Sequence, residues 1–224
     1  MTERPFVDWD WLGDHAPFVL HQLGQHLSLT GIAVGIGLLI SLPVAVLAHR
    51  HRRLYAPVTW LTGVLYTIPS LALFALLIPF TGLSTLTAEI GLVSYTLLIL
   101  IRNIVAGLDA VPADAKEAAL GMGYTPRELL WRVELPLALP VVVAGLRIAA
   151  VTTIGLVTVT VFVGKGGLGY LMLAGFRRLL PSPTAIVVGV VLSVALAVAV
   201  DALLIAGQRL ISPWSRAGRA RAVG

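Results

Sequence analysis

The chain has 224 residues, 58% of them hydrophobic, with a mean hydropathy of +0.93. Only 12% are Asp, Glu, Lys or Arg, about half the share of a soluble domain, so a soluble globule of this size is excluded and so is a disordered chain. The net charge of +5 comes from basic residues that flank apolar runs, which is membrane topology rather than nucleic-acid binding.

In chain order, the N-terminal string MTERPFVDWDWLGDH is acidic and aromatic where a signal peptide needs a basic start and a short apolar core. It is expected to remain on the chain as an extracytoplasmic segment over 1–26. A bilayer core of about 30 Å takes about 20 apolar residues as helix, because lipid offers no partner to a free backbone group. Five stretches qualify: 27–48, 58–80, 88–108, 136–163 and 184–207. The first carries Gly31 and Gly35 at a spacing that supports close helix packing. After it comes HRHRR, whose His49 and His51 are too few ligands for a zinc site and read as a basic interfacial anchor. The fourth stretch is longer than a span requires, so Pro136 and Pro140 are expected to make its first turns an interfacial lead-in.

Five spans set the termini on opposite sides. With the C-terminus inside, the pieces 49–57, 109–135 and 208–224 carry ten basic residues: Arg50, Arg52, Arg53, Lys116, Arg127, Arg132, Arg209, Arg216, Arg219 and Arg221. The outer pieces 1–26, 81–87 and 164–183 carry four, namely Arg4, Lys165, Arg177 and Arg178. The positive-inside rule therefore predicts the N-terminus outside and a basic cytoplasmic tail over 208–224. Trp9, Trp11, Trp60, Trp131 and Trp214 fall near the interfaces so drawn, where amphipathic rings anchor. The expected architecture is an all-α membrane protein with five transmembrane helices.

Gly164, Gly166 and Gly169 satisfy G-x-G-x-x-G, but a dinucleotide site needs a preceding strand in a βαβ unit. Here a membrane helix precedes, and the segment 164–183 reads as a glycine turn followed by a short interfacial or re-entrant helix. Gly rather than Ser or Thr follows Lys165, so it is no P-loop either. The absence of cysteine removes thiolate metal sites and a Cys nucleophile, and the five histidines have no metal-binding spacing. Arg102, Arg147 and Asp201 lie within spans, about two turns from a cytoplasmic end. Charge there is costly unless it is paired or snorkels. Asp201 is expected to face Arg147 or Arg102, the alternative being separate snorkelling of both arginines.

The largest cytoplasmic loop, 109–135, is polar yet organised like two short helices. Asp114 can cap the first with Glu117 at N3, and Thr125 the second with Pro126 at N1 and Glu128 at N3. Gly121 and Gly123 allow a sharp turn between them. Ala118 and Ala119 permit close approach, and Leu129, Leu130 and Trp131 offer apolar contact. A partner-docking surface and an interfacial helix lying on lipid both fit this shape.

Glu117-Ala118-Ala119, three residues, Gly123, nine residues, then Val133-Glu134-Leu135-Pro136 resembles the EAA motif of ABC-importer permeases, with Val133 where the family usually has Ile. TIPSLALFALLIP (67–79), ILIRN (99–103), VELPLALPVVVAGLRIA (133–149) and GGLG (166–169) resemble permease subunits of osmoprotectant importers for glycine betaine, carnitine and choline. The resemblance runs over about 27–207; Lys165 departs from it, where a small residue is more usual. It implies a multi-pass protein of the cytoplasmic membrane with the type I ABC importer permease (MetI-like) fold. Two permeases, identical or paralogous, would pair in the lipid bilayer. Two separate ABC ATPase subunits would dock below and use the ATP, while this chain binds no cofactor or metal and no nucleic acid. An extracytoplasmic binding protein would deliver the solute. Glu117, Ala118, Ala119, Gly123, Thr125, Pro126, Leu129, Val133, Leu135 and Pro136 would form the ATPase-coupling loop. A quaternary ammonium solute favours aromatic faces, which makes Tyr66, Phe74, Tyr95 and Phe162 candidates for the pathway, although helix packing or lipid contact accounts for each singly. The same machinery carrying an amino acid or a related betaine stays open. An autonomous channel or secondary transporter would leave the capped loop without a purpose. A membrane enzyme lacks a nucleophile–base set at one depth.

Overall fold

The computed structural model describes residues 7–180 and 183–211; Arg4, Trp214, Arg216, Arg219 and Arg221 lie outside the described residues. The described elements are helical throughout: α1 (Trp9–Asp14), α2 (Ala16–Arg50), α3 (Arg52–Thr67), α4 (Ser70–Thr81), α5 (Thr85–Asp109), α6 (Ala113–Gly121), α7 (Pro126–Leu129), α8 (Leu135–Val157), α9 (Leu168–Phe176) and α10 (Thr184–Ile211). A π turn, Leu130–Glu134, joins α7 to α8, and a 3₁₀ turn, Thr158–Val163, follows α8. Four helices, the run Pro126–Val163 taken as one, are long and apolar enough to cross a membrane, or five if a bent pair counts as one span.

The bent pair is the second predicted span. Instead of one rod over 58–80, α3 and α4 meet at 95°. Pro69 is the cause: a proline ring disfavours helical backbone in the residue before it, and Ile68 is extended at φ −65°, ψ 126°. The Ile68 carbonyl left over at the break accepts a hydrogen bond from the Tyr95 hydroxyl, as an apolar surround requires.

α2 begins at Ala16 rather than at position 27 and has 35 residues, a rise of about 52 Å. Its first turns are too polar to register as a span, yet Gln22 and His26 are buried against the protein. The fourth span also starts early. The helix is not interrupted at Pro136 and Pro140: one helical run of 38 residues extends from Pro126 to Val163. The π turn just before Pro136 makes this possible, since a wider turn accommodates a proline ring and its missing N–H.

The central element is α5, packed between α2 and α8, with α3 and α4 also against it; α10 packs on α8 and α9. Small residues set these distances, as in membrane packing generally. A Cβ on Gly37 would stand 1.9 Å from Thr96 Oγ1, and one on Gly145 would stand 2.3 Å from Asn103 Cβ. Gly31 and Gly35, the predicted packing pair, face open space within this chain. One core cluster gathers Leu100, Ile104 and Leu108 with Ala45, Leu130 and Ala138, and another gathers Leu29, Phe74, Leu92 and Val157. The glycine turn and short helix expected over 164–183 form: Gly164 and Gly167 have φ of +78° and +64°, and α9 buries Leu168, Leu171 and Ala174.

Candidate coupling site

The loop after α5 folds as two helices at a sharp angle. α6 ends in a left-handed glycine turn: Gly123 has φ +86°, its N–H bonds the Leu120 carbonyl at 2.9 Å, and the Tyr124 N–H bonds the Ala119 carbonyl at 3.1 Å. These are the paired bonds of a Schellman motif. Gly121, expected to share the turn, is instead the last residue of α6. Asp114 does not cap α6 either. Pro112 holds the cap position and Asp114 lies inside the first turn, where a carboxylate still complements the helix dipole.

The second helix starts as the sequence predicts. Thr125 caps α7 with Pro126 next, and the capping box closes: the Glu128 N–H donates to Thr125 Oγ1 at 3.3 Å while the Thr125 N–H donates to Glu128 Oε2 at 3.1 Å. These bonds from the Thr125 backbone and hydroxyl hold the Glu128 carboxyl below its usual range. The Arg132 guanidinium lies 5.9 Å from the Tyr124 ring and 3.6 Å from Glu128.

Exposure divides the motif into two sets. Ala119 and Leu130 are buried within the fold, and Leu129, Val133, Leu135 and Pro136 are partly buried. Glu117, Ala118, Leu120, Met122 and Trp131 face outward. Leu120 and Met122 are additions to the predicted surface. Hydropathy alone did not separate them from buried neighbours, and Met122, three residues on from the buried Ala119, is exposed because α6 ends just before it.

The loop is tied down by groups that sequence reasoning treated only as anchors. Arg52 holds Asp109 through two bonds of 2.7 and 2.9 Å, and His49 Nδ1 lies 2.7 Å from the same carboxylate. Arg50 donates to the Pro126 carbonyl at 2.9 Å. Lys116 on α6 reaches Glu134 in the π turn at 3.3 Å, and Glu134 is buried. The α2–α3 corner, the end of α5 and both loop helices thus form one connected polar network. A network of this kind holds geometry better than isolated surface pairs, which are individually worth little.

The aromatic candidates separate. Phe74 is buried, and a Cβ on Gly91 would stand 2.3 Å from its ring. Tyr95 is buried on the Ile68 carbonyl and stacks edge-on with Tyr66, ring centroids 5.6 Å apart. Tyr66 and Phe162 are exposed. Of the intramembrane charges, Arg147 grips Asp201 through Nε–Oδ1 at 2.7 Å and Nη2–Oδ2 at 2.9 Å, while Arg102 is exposed. His26 accepts from the Leu168 N–H at 3.2 Å through Nδ1, and its Nε2 lies 2.9 Å from the Ile154 carbonyl. That fixes the neutral Nε2–H tautomer and staples α2 to α8 and α9. Among the described residues no group of three or more His, Cys, Asp or Glu converges to hold a metal ion.

The family model described as binding-protein-dependent transport system inner membrane component matches residues 33–214. The chain is 37% identical over 205 residues to the osmoprotectant import permease protein OsmW of Salmonella typhimurium, covering 89% of this chain and 94% of the relative. It is 33% identical to the choline transport system permease protein OpuBB of Bacillus subtilis, covering 87% of this chain and 89% of the relative. With the glycine betaine/carnitine/choline permease protein OpuCD of the same organism it shares 37% identity, covering 88% and 85%. The fold is similar to that of a chain in an inward-facing structure of the MetNI methionine ABC transporter, with TM-score 0.74 and 26% identity over 86% of this chain and 94% of the other. A chain of an amino acid ABC transporter is similar in fold at TM-score 0.71, with 20% identity over 91% of this chain and 98% of the other.

Proposed function

The chain belongs to the family of binding-protein-dependent transport system inner membrane components, and on that premise we propose that it is the membrane half-channel of an ATP-driven importer for small osmoprotectants. The glycine betaine, carnitine and choline class is favoured because relatives of that description match over most of both chains. The chain sits in the cytoplasmic membrane and crosses it five times, N-terminus outside and C-terminus inside. Residues 1–26 lie on the outer side, 27–207 form the permease body and 208–224 a basic cytoplasmic tail. It pairs with a second permease, receives solute from an extracytoplasmic binding protein and binds no nucleotide itself; ATP is used by the ATPase subunits. Tyr66 and Phe162, the two exposed candidates, are the stronger pathway residues.

The observation that carries the mechanism is the joint between the loop and α8. A Schellman turn at Gly123 and a capping box at Thr125 fix the angle of two helices, and the second runs on without a break into the 38-residue helix. Glu117, Ala118, Leu120, Met122 and Trp131 form the face that an ATPase groove receives. Ala119, Leu129, Val133, Leu135 and Pro136 hold that face to the membrane body. Closure of the ATPase pair would then push on a lever rather than a tether, rocking α8 as a rigid body. The test is reconstitution with its ATPase and binding protein in liposomes. Uptake of glycine betaine, carnitine or choline should require both ATP and loaded binding protein; solute flux without ATP would overturn the reading in favour of a channel.

A further inference from the structure

The Arg147–Asp201 pair joins α8 to α10 within the apolar stretches of both helices. Arg147 is twelve residues into α8 from Leu135 and Asp201 ten residues from the inner end of α10, rises of about 18 and 15 Å. Both therefore lie inside the membrane-spanning stretches, in the half of a core about 30 Å thick that is nearer these helix ends. Yet the two side chains keep 31% and 32% of their surface exposed. Charged groups at that depth face protein or a water-filled cavity rather than lipid. Beside them an open cleft of about 450 Å³ is lined by Ala144, Arg147, Ile148, Val151, Thr152 and Asp201. Its walls are methyl groups and one hydroxyl, with the ion pair as the only charge.

We infer that this cleft is a transient solute subsite in which a small zwitterion exchanges with the Arg147–Asp201 pair, its carboxylate taking the guanidinium fork and its quaternary ammonium taking Asp201. The inference rests on the osmoprotectant reading and deepens it. The chemistry is matched in number and sign. Arg147 already presents two parallel donors to a carboxylate, the geometry that makes arginine selective for that group. A carboxylated betaine can take that fork while returning a cation to Asp201, so no charge is left unpaired in the cleft. Competition from Asp201 also keeps the site weak, and a transport site must release what it binds. Choline, which has the ammonium but no carboxylate, can meet only half of the site.

Because the chain has no cysteine, a single thiol reports on the cleft directly. The importer, assembled with its ATPase and carrying Val151→Cys, is reconstituted and treated with a hydrophilic methanethiosulfonate. The thiol should react, and millimolar glycine betaine should slow the reaction at least threefold. Choline should slow it less than half as much, and glycerol not at all. Adding Arg147→Gln should leave the thiol reactive and abolish betaine protection, and Arg147→Lys, which keeps the charge but not the fork, should give partial protection. Copurification with the ATPase checks that the Arg147 variants assemble. An unreactive thiol would mean that the cleft faces lipid or a partner subunit and would overturn the inference. So would protection equal for betaine and choline, or protection unchanged in Arg147→Gln. Failure of the osmoprotectant reading shows elsewhere, as absence of ATP-driven uptake by the unsubstituted importer.

Discussion

At the scale of single residues, backbone geometry and packing make different demands on glycine, and substitutions can separate them. Gly123 has φ +86° and nothing within 4 Å of where a Cβ would stand, so a side chain there starts into open space. Its cost is conformational, since a β-branched residue resists a left-handed backbone. It should insert normally while uptake and binding-protein-stimulated ATP hydrolysis fall at least tenfold, because the second loop helix is misdirected. Gly121 also has open space but no positive φ, so Gly121→Ala should leave uptake within about twofold. Glu117→Lys reverses an exposed charge at the proposed ATPase face and should lose copurifying ATPase without loss of membrane insertion. Normal transport by both Gly123→Val and Glu117→Lys would remove the coupling role from the loop. Gly37→Val fails by the opposite mechanism. Its Cβ would meet Thr96 Oγ1 at 1.9 Å, and overpacking of this kind costs about 1–3 kcal/mol, read as a lower melting temperature in detergent.

At the scale of elements, the sequence spoke most clearly where local chemistry decides the outcome. Thr125-Pro126 and Glu128 specify a helix start whatever surrounds them, and the capping box is there. Asp114 had the same composition at its side but lost the cap position to Pro112, whose fixed φ ends the preceding turn. Hydropathy located the apolar runs and not their geometry. It could not see that Gln22 and His26 extend α2, because a glycine turn more than 130 residues away bonds His26 through the Leu168 N–H and encloses Gln22. Nor could it see the 95° bend at Pro69, since the apolar run passes through it unchanged. The bend leaves one checkable dependence. Tyr95 supplies the hydrogen bond to the Ile68 carbonyl, and an unsatisfied buried group costs about 1–3 kcal/mol. Tyr95→Phe, which keeps the ring and its packing, should therefore lower thermal stability by that order and increase thiol labelling at Ser70→Cys. No change in either would mean that Pro69 holds the bend alone.

At the scale of the whole molecule, contacts sort the connecting segments into two poles independently of charge. One pole joins the α2–α3 corner to the loop after α5, through His49 and Arg52 on Asp109 and Arg50 on Pro126. The other joins the N-terminal region to the segment before α10: the Asp8 N–H donates to Thr184 at 2.9 Å, and Gln25 and His26 receive the N–H groups of Gly167 and Leu168. The α4–α5 connection belongs with this second pole, because a Cβ on Gly164 would lie 3.6 Å from Leu83. Going from α2 to α3, through the bent pair to α5, then by α8 and α10, the chain therefore passes between the poles five times, with α3 and α4 together making one passage. Under the positive-inside rule the basic residues set the expectation that the first pole is the cytoplasmic one. The His49–Asp109 pole carries Arg50, Arg52, Arg53, Lys116, Arg127, Arg132 and Arg209, while the other carries Lys165, Arg177 and Arg178 among the described residues. The cysteine-free chain allows single-thiol mapping in intact cells with a membrane-impermeant maleimide. Asp10→Cys, Thr85→Cys and Gly167→Cys should label from outside, the last less readily because Gly167 is buried and a Cβ there would stand 3.2 Å from His26 Nδ1. Arg52→Cys, Lys116→Cys and Arg219→Cys should label only after the membrane is opened. Labelling of Thr85→Cys from inside alone would break the five-passage path at the bend. A full inversion of the pattern would put the loop outside, where no ATPase could reach it, and the coupling reading would fall with the orientation.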